Sequence, residues 1–199
     1  MASIVVAIVA IAAMSSPVEA ATKTQVKARA LSLSNMPTGW SVDNSASSSS
    51  SGGIPCLKPV KAPSKHEVKV SVSYADGSLP ALQEVVAAGS GAVEGYEALN
   101  KALAACKTFT SSSAGHKVTG SVGAMSFPAV GNRSSAYAIT INIEGVNAGA
   151  DIVIFQTGTY VAAVLYEDIG TPDLQQVQAF VKEALEKIEG TPTVTPTTF

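Results

Sequence analysis

Residues 135–190 constrain the fold more than any other stretch of this chain. Residues 135–144 alternate cleanly, with Tyr137, Ile139, Ile141 and Ile143 on one face and Ala138, Thr140, Asn142 and Glu144 on the other. A period of two is the pattern of a strand with one buried face. Residues 145–149 read as a turn of small side chains. Residues 151–156 (DIVIFQ) are apolar on both faces, as in a central strand. A tight turn around Gly158 follows, and residues 160–166 (YVAAVLY) return as an antiparallel partner. Thr171, Pro172 and Asp173 then supply an N-cap hydroxyl, a first-turn proline and an acid at the positive end of the helix dipole. Leu174, Val177, Val181, Ala184, Leu185 and Ile188 share one helical face, and Gly190 closes it. The unit predicts an α+β fold, an antiparallel β-sheet with helices packed on it, ending strand–strand–helix.

The rest of the chain adds to this sheet. Residues 67–75 form another alternating strand, with Val68, Val70, Val72 and Tyr74 on one side. Residues 78–88 read as a helix begun by Ser78, Leu79 and Pro80 and interrupted by Gly89, Ser90 and Gly91. A helix over 93–106 carries Tyr96, Leu99, Leu103 and Cys106 on one face. Residues 21–33 can form a helix around Val26, Ala30 and Leu33. Residues 108–113 are mostly polar, and residues 117–127 read as one or two short strands bent at Gly120 and Gly123.

The ends of the chain point to export. Residues 2–14 are a short apolar run followed by small residues, which reads as a signal peptide over 1–20, cleaved near Ala20. The run is shorter than the roughly 20 apolar residues of a membrane span, so no span is expected in the mature chain. No Lys or Arg precedes it, and an uncleaved anchor or a buried helix is the alternative. The domain then covers 21–190. Residues 44–53 form a flexible Ser-rich loop, residues 58–66 a basic, Pro-rich exposed loop, and residues 191–199 a disordered Pro/Thr tail. In an exported chain the isolated pair Cys56 and Cys106 most often forms a disulfide. Closing so long a loop contributes up to about 4 kcal/mol in the chain-entropy picture.

Chemistry is hard to find. The net charge is −2, with no basic stripe for nucleic acid. No G-x-S-x-G, H-E-x-x-H, phosphate loop or dinucleotide fingerprint occurs. Two Cys and two separated His fall short of a zinc site, so neither metal nor cofactor is expected. His66 and His116 lie in polar sequence and read as surface residues, although either has the chemistry of a general base. Glu167 and Asp168 are adjacent acids at a strand end. They are candidates for glycosidase chemistry, or a solvated turn before Thr171. Trp40 reads either as a ligand platform or as packing over an edge of the sheet.

The order of several pieces resembles a known family. Residues 31–40 (LSLSNMPTGW), Cys56, the helix ending in Cys106, residues 124–131 (AMSFPAVG), the apolar strands 151–155 and 160–165, and the helix opened by Thr171, Pro172 and Asp173 resemble the extracellular sensor domain of PknH-type mycobacterial kinases, which also occurs as free-standing secreted proteins. The ending is also similar to PsbP-like secreted lipoproteins. The resemblance implies an antiparallel sheet with helices on it and a cleft for an extracellular ligand, and supplies no catalytic residues. Unlike the kinases, this chain shows no kinase domain and a single cysteine pair. The expectation is an exported, non-catalytic sensor or ligand-binding module at the bacterial cell surface. Its partner would be a small molecule, glycan or lipid, with Trp40, Tyr96 and Tyr166 as aromatic contact residues. The alternatives are an envelope protein-interaction module and a secreted hydrolase using Glu167 or Asp168 with a His.

Overall fold

The computed structural model describes residues 21–44, 55, 67–113 and 115–190. The expected signal peptide, Cys56, His66, nearly all of the Ser-rich loop, the basic loop and the Pro/Thr tail lie outside the described residues.

Eight antiparallel strands form one sheet in the order β1-β2-β3-β8-β7-β6-β5-β4. In chain order they are β1 (Ser41–Val42), β2 (Val68–Ala75), β3 (Ala81–Ala88), β4 (Thr108–Ser113), β5 (His116–Ala124), β6 (Arg133–Ile143), β7 (Val146–Thr157) and β8 (Tyr160–Ile169). Helix α1 (Lys23–Arg29) and a short 3-10 turn (Leu33–Asn35) precede the sheet; α2 (Ser90–Ala105) links β3 to β4, and α3 (Leu174–Glu189) follows β8. No described helix is long and apolar enough to cross a membrane.

The alternation of β7 and β8 explains why the sheet is covered on both sides. Val153, Phe155, Ala162, Val164 and Tyr166 belong to a core shared with α1 and α3. Their neighbours Ala150, Ile152, Ile154 and Val161 belong to a second core under α2. A strand buried on both faces reads as a continuous apolar run, as residues 152–155 do. Removing a large apolar side chain from water contributes about 1.5–3 kcal/mol, and Phe155 and Tyr166 are fully buried.

Local chemistry sets the connections. Glu144 and Gly145 both take positive φ (51° and 92°), making a two-residue turn that carries β6 directly into β7. Strand β7 therefore starts at Val146, where a turn through residue 149 was expected. Gly149 is needed for another reason. A Cβ there would collide with the Gly170 carbonyl and the Pro172 ring, where the chain leaves β8 for α3.

Other expectations are corrected, and one unassigned run takes its place in the sheet. Residues 81–88 form strand β3, not a helix. Leu82, Val86 and Ala88 face the first core at a spacing of two, and pairing on both sides with β2 and β8 overrides local helix propensity. Gly89, at φ 104°, is the N-cap of α2, which begins at Ser90, so no earlier helix is interrupted. The polar run 108–113 is edge strand β4, held by Phe109, whose ring lies over Gly120 of β5. The N-cap of α3 is Asp173, whose side chain accepts from the Gln175 N–H, and not Thr171.

Candidate functional site

The polar chemistry of the interior concentrates where α1, β2 and β3 meet. Glu84 is fully buried on β3, facing the first core. One carboxylate oxygen accepts the Leu31 N–H at 2.6 Å; the other, Oε1, has no partner among the described residues. The Tyr74 hydroxyl donates to the Leu31 carbonyl at 2.9 Å. Two strand side chains thus satisfy both polar groups of one buried peptide residue just after α1, work that a neighbouring strand usually does. Burial pushes the Glu84 carboxyl up to about 7, against the lowering effects of the Leu31 N–H and of Lys187. Burial, with Glu84 close by, also raises the Tyr74 hydroxyl. The same segment is tied to α3. The Arg29 guanidinium donates to the Ile188 carbonyl at 2.8 Å, and the Asn35 amide donates to Glu183 at 2.6 Å.

An aromatic cluster adjoins this clasp. The rings of Trp40 and Tyr166 lie 6.5 Å apart at 25°, and Phe180 of α3 sits 5.5 Å from Trp40 and 5.9 Å from Tyr166. The Tyr166 hydroxyl donates to Gln176 at 2.9 Å. Burial pushes that hydroxyl up to about 12, helped by Asp168 and Asp173. Asp151, buried on β7 in register with Tyr166, is also raised by burial.

Tyr96 lies on the opposite side of the sheet, in the core under α2. The Arg133 guanidinium stacks on its ring at 4.3 Å, while Arg133 also donates to Gln156 at 2.6 Å and pairs with Glu97. The three aromatic candidates therefore do not converge. Trp40 and Tyr166 come together with Phe180, Tyr96 stands apart, and their exposures are 8%, 0% and 4%. Trp40 packs on Tyr166 of the central strand β8 and on Phe180 of α3, where its second reading was packing over an edge of the sheet.

Glu167 and Asp168 alternate along β8 and so point to opposite faces. Burial and the nearby Asp43 raise the Glu167 carboxyl. His116, at the start of β5, pairs with Glu144 at 2.8 Å, with both side chains more than half exposed. Cys106 ends α2, is buried, and is not a free thiol. Among the described residues no group of three or more His, Cys, Asp or Glu is arranged to hold a metal. Glu84 escaped sequence reasoning because a helical reading of 78–88 hides its alignment with Leu82 and Val86. In strand register the same spacing points it inward.

These elements define an α+β domain with one antiparallel sheet between two helical layers. Among solved structures, the extracellular domain of PknH from Mycobacterium tuberculosis is similar, with a TM-score of 0.58 and 9% sequence identity, covering 86% of this chain and 98% of that one. At that identity the likeness is one of fold. No protein-family model matches the chain, and no curated protein matches it in sequence.

Proposed function

We propose that this protein is an exported, non-catalytic sensor-type module that binds a small molecule, glycan or lipid at the bacterial cell surface. The observation that carries the reading is the fold, which spans 98% of an extracellular domain. The apolar run before Ala20 supports export. Cys106, buried and not free among the described residues, supports a disulfide to Cys56. Of the three aromatic candidates, Tyr96 is the one held beside a cation at the margin of its core, through Arg133.

Native mass spectrometry of the protein secreted by its own host tests the reading. A discrete extra mass that is lost on denaturation is the expected result. A bare chain under the same conditions would sink the carried-ligand form of the proposal. The same spectra, with and without reductant, report the disulfide as a gain of two hydrogens.

A further inference from the structure

Exposed apolar surface is concentrated in this fold. The large apolar side chains left exposed among the described residues are Leu33, Val42, Ile143, Val146, Ile169 and Leu174. All but Leu33 lie at one end of the sheet, where the β2–β3, β4–β5 and β6–β7 turns and the start of α3 gather. Val146 is 67% exposed and Ile169 70%. The register places Ile143 opposite Val146, and Ala148 opposite Ile169. The strip therefore runs across three strands on the α2 face. Its residues sit in paired strands, so their exposure does not come from a loose loop. A contiguous exposed apolar strip on a rigid surface marks an interaction site.

The charge at the same end is as uneven. Asp43, Asp76, Glu144, Glu167, Asp168 and Asp173 lie there, against His116 and Lys117 among the described residues. The whole chain carries only −2. Of these acids, Glu144 is paired with His116, and Asp168 and Asp173 accept the backbone N–H groups of Ile169 and Gln175. Glu167 stands on the same face as the strip, and Asp168 on the opposite one.

The acids indicate what covers the apolar strip. An anionic lipid surface is repelled by them, and a second copy would bring acid onto acid. Aliphatic side chains flanked by Lys or Arg satisfy both features. We infer that this end of the sheet docks an aliphatic, cationic segment of another protein, through Ile143, Val146 and Ile169, with Glu167 on the same face and the other carboxylates at the same end of the sheet. The inference is independent of the ligand-binding reading, since it needs no small molecule.

The test is titration of a synthetic amphipathic peptide of leucine and lysine into the full chain, with the protein's Ile and Val methyl groups labelled for NMR. Saturable one-to-one binding is expected, with shifts confined to Ile143, Val146 and Ile169, and it weakens as salt is raised. The double variant Val146→Ser, Ile169→Ser should bind about ten-fold or more weakly while melting like the parent. Equal binding by that variant, equal binding of a leucine–glutamate peptide, or dimerisation that buries the strip in a second copy would each overturn the inference. Binding to lipid vesicles in place of the peptide would overturn it as well.

Discussion

The two faces of the sheet are built on different terms. The face under α1 and α3 is closed, and it holds polar groups deep inside: Glu84, Tyr74 and the Tyr166 hydroxyl, each with a partner fixed by a neighbouring element. The face under α2 is closed at one end only. It too buries hydroxyls, Tyr96 against Ser135 and Tyr137 against Asn100, but its charged groups Arg133 and Glu97 sit at the margin in contact with water, and its other end exposes the aliphatic strip. One helix covers less of an eight-stranded sheet than two elements do. The first face is therefore closed over its polar groups, and the second leaves room for something else to bind.

The sharpest way to break the contrast is to hollow out the closed face. Phe155→Ala should cost about 3–5 kcal/mol, read as a shifted midpoint in denaturant unfolding. A loss under about 1 kcal/mol would show that this core is not closed as described.

Glu84 sharpens the comparison through pH. Its folded-state carboxyl is raised from 4.5 to about 7, so the stability linked to its proton is fully present below about 4.5 and lost as pH rises through about 7. The change is on the order of 3 kcal/mol between those limits. Glu84→Gln keeps an acceptor for the Leu31 N–H without the buried charge. It should flatten this pH dependence and stabilise the protein at pH about 8. An unchanged stability–pH profile would refute the assignment.

Smaller effects follow. Tyr166→Phe leaves the Gln176 acceptor unpaired at the edge of the aromatic cluster and should cost about 1 kcal/mol by thermal unfolding. Val146→Ser, on the open face, should leave stability within about 0.5 kcal/mol, because the side chain is already mostly in water. A large loss there would mean that the strip is core.

Much of the sheet is legible in the sequence because strands β2 and β6 carry their burial in their alternation and β7 and β8 carry theirs in short apolar runs. The amphipathic stripes of α2 and α3 are legible for the same reason at helical spacing, although Phe180, which packs on Trp40, belongs to the buried face of α3 and was absent from its expected stripe. Strand β4 was hidden because its side chains are mostly polar and only one face of an edge strand is buried. Strand β3 was hidden because Ala, Leu, Gln and Glu favour helix until partners on both sides impose extension.

Local periodicity and turn chemistry thus decide, within this chain, that there is an antiparallel sheet and where its central strands and last helix lie. They act over a few residues and can be read without the rest of the molecule. Which residues share a site is a matter of tertiary structure. Glu84, Tyr74 and Leu31 meet across gaps of 43 and 53 residues, and Trp40 reaches Tyr166 only because α3 closes over both. The grouping of aliphatic and acidic side chains at one end arises because antiparallel pairing returns three separate turns to the same end, beside the start of α3, an arrangement no local pattern encodes.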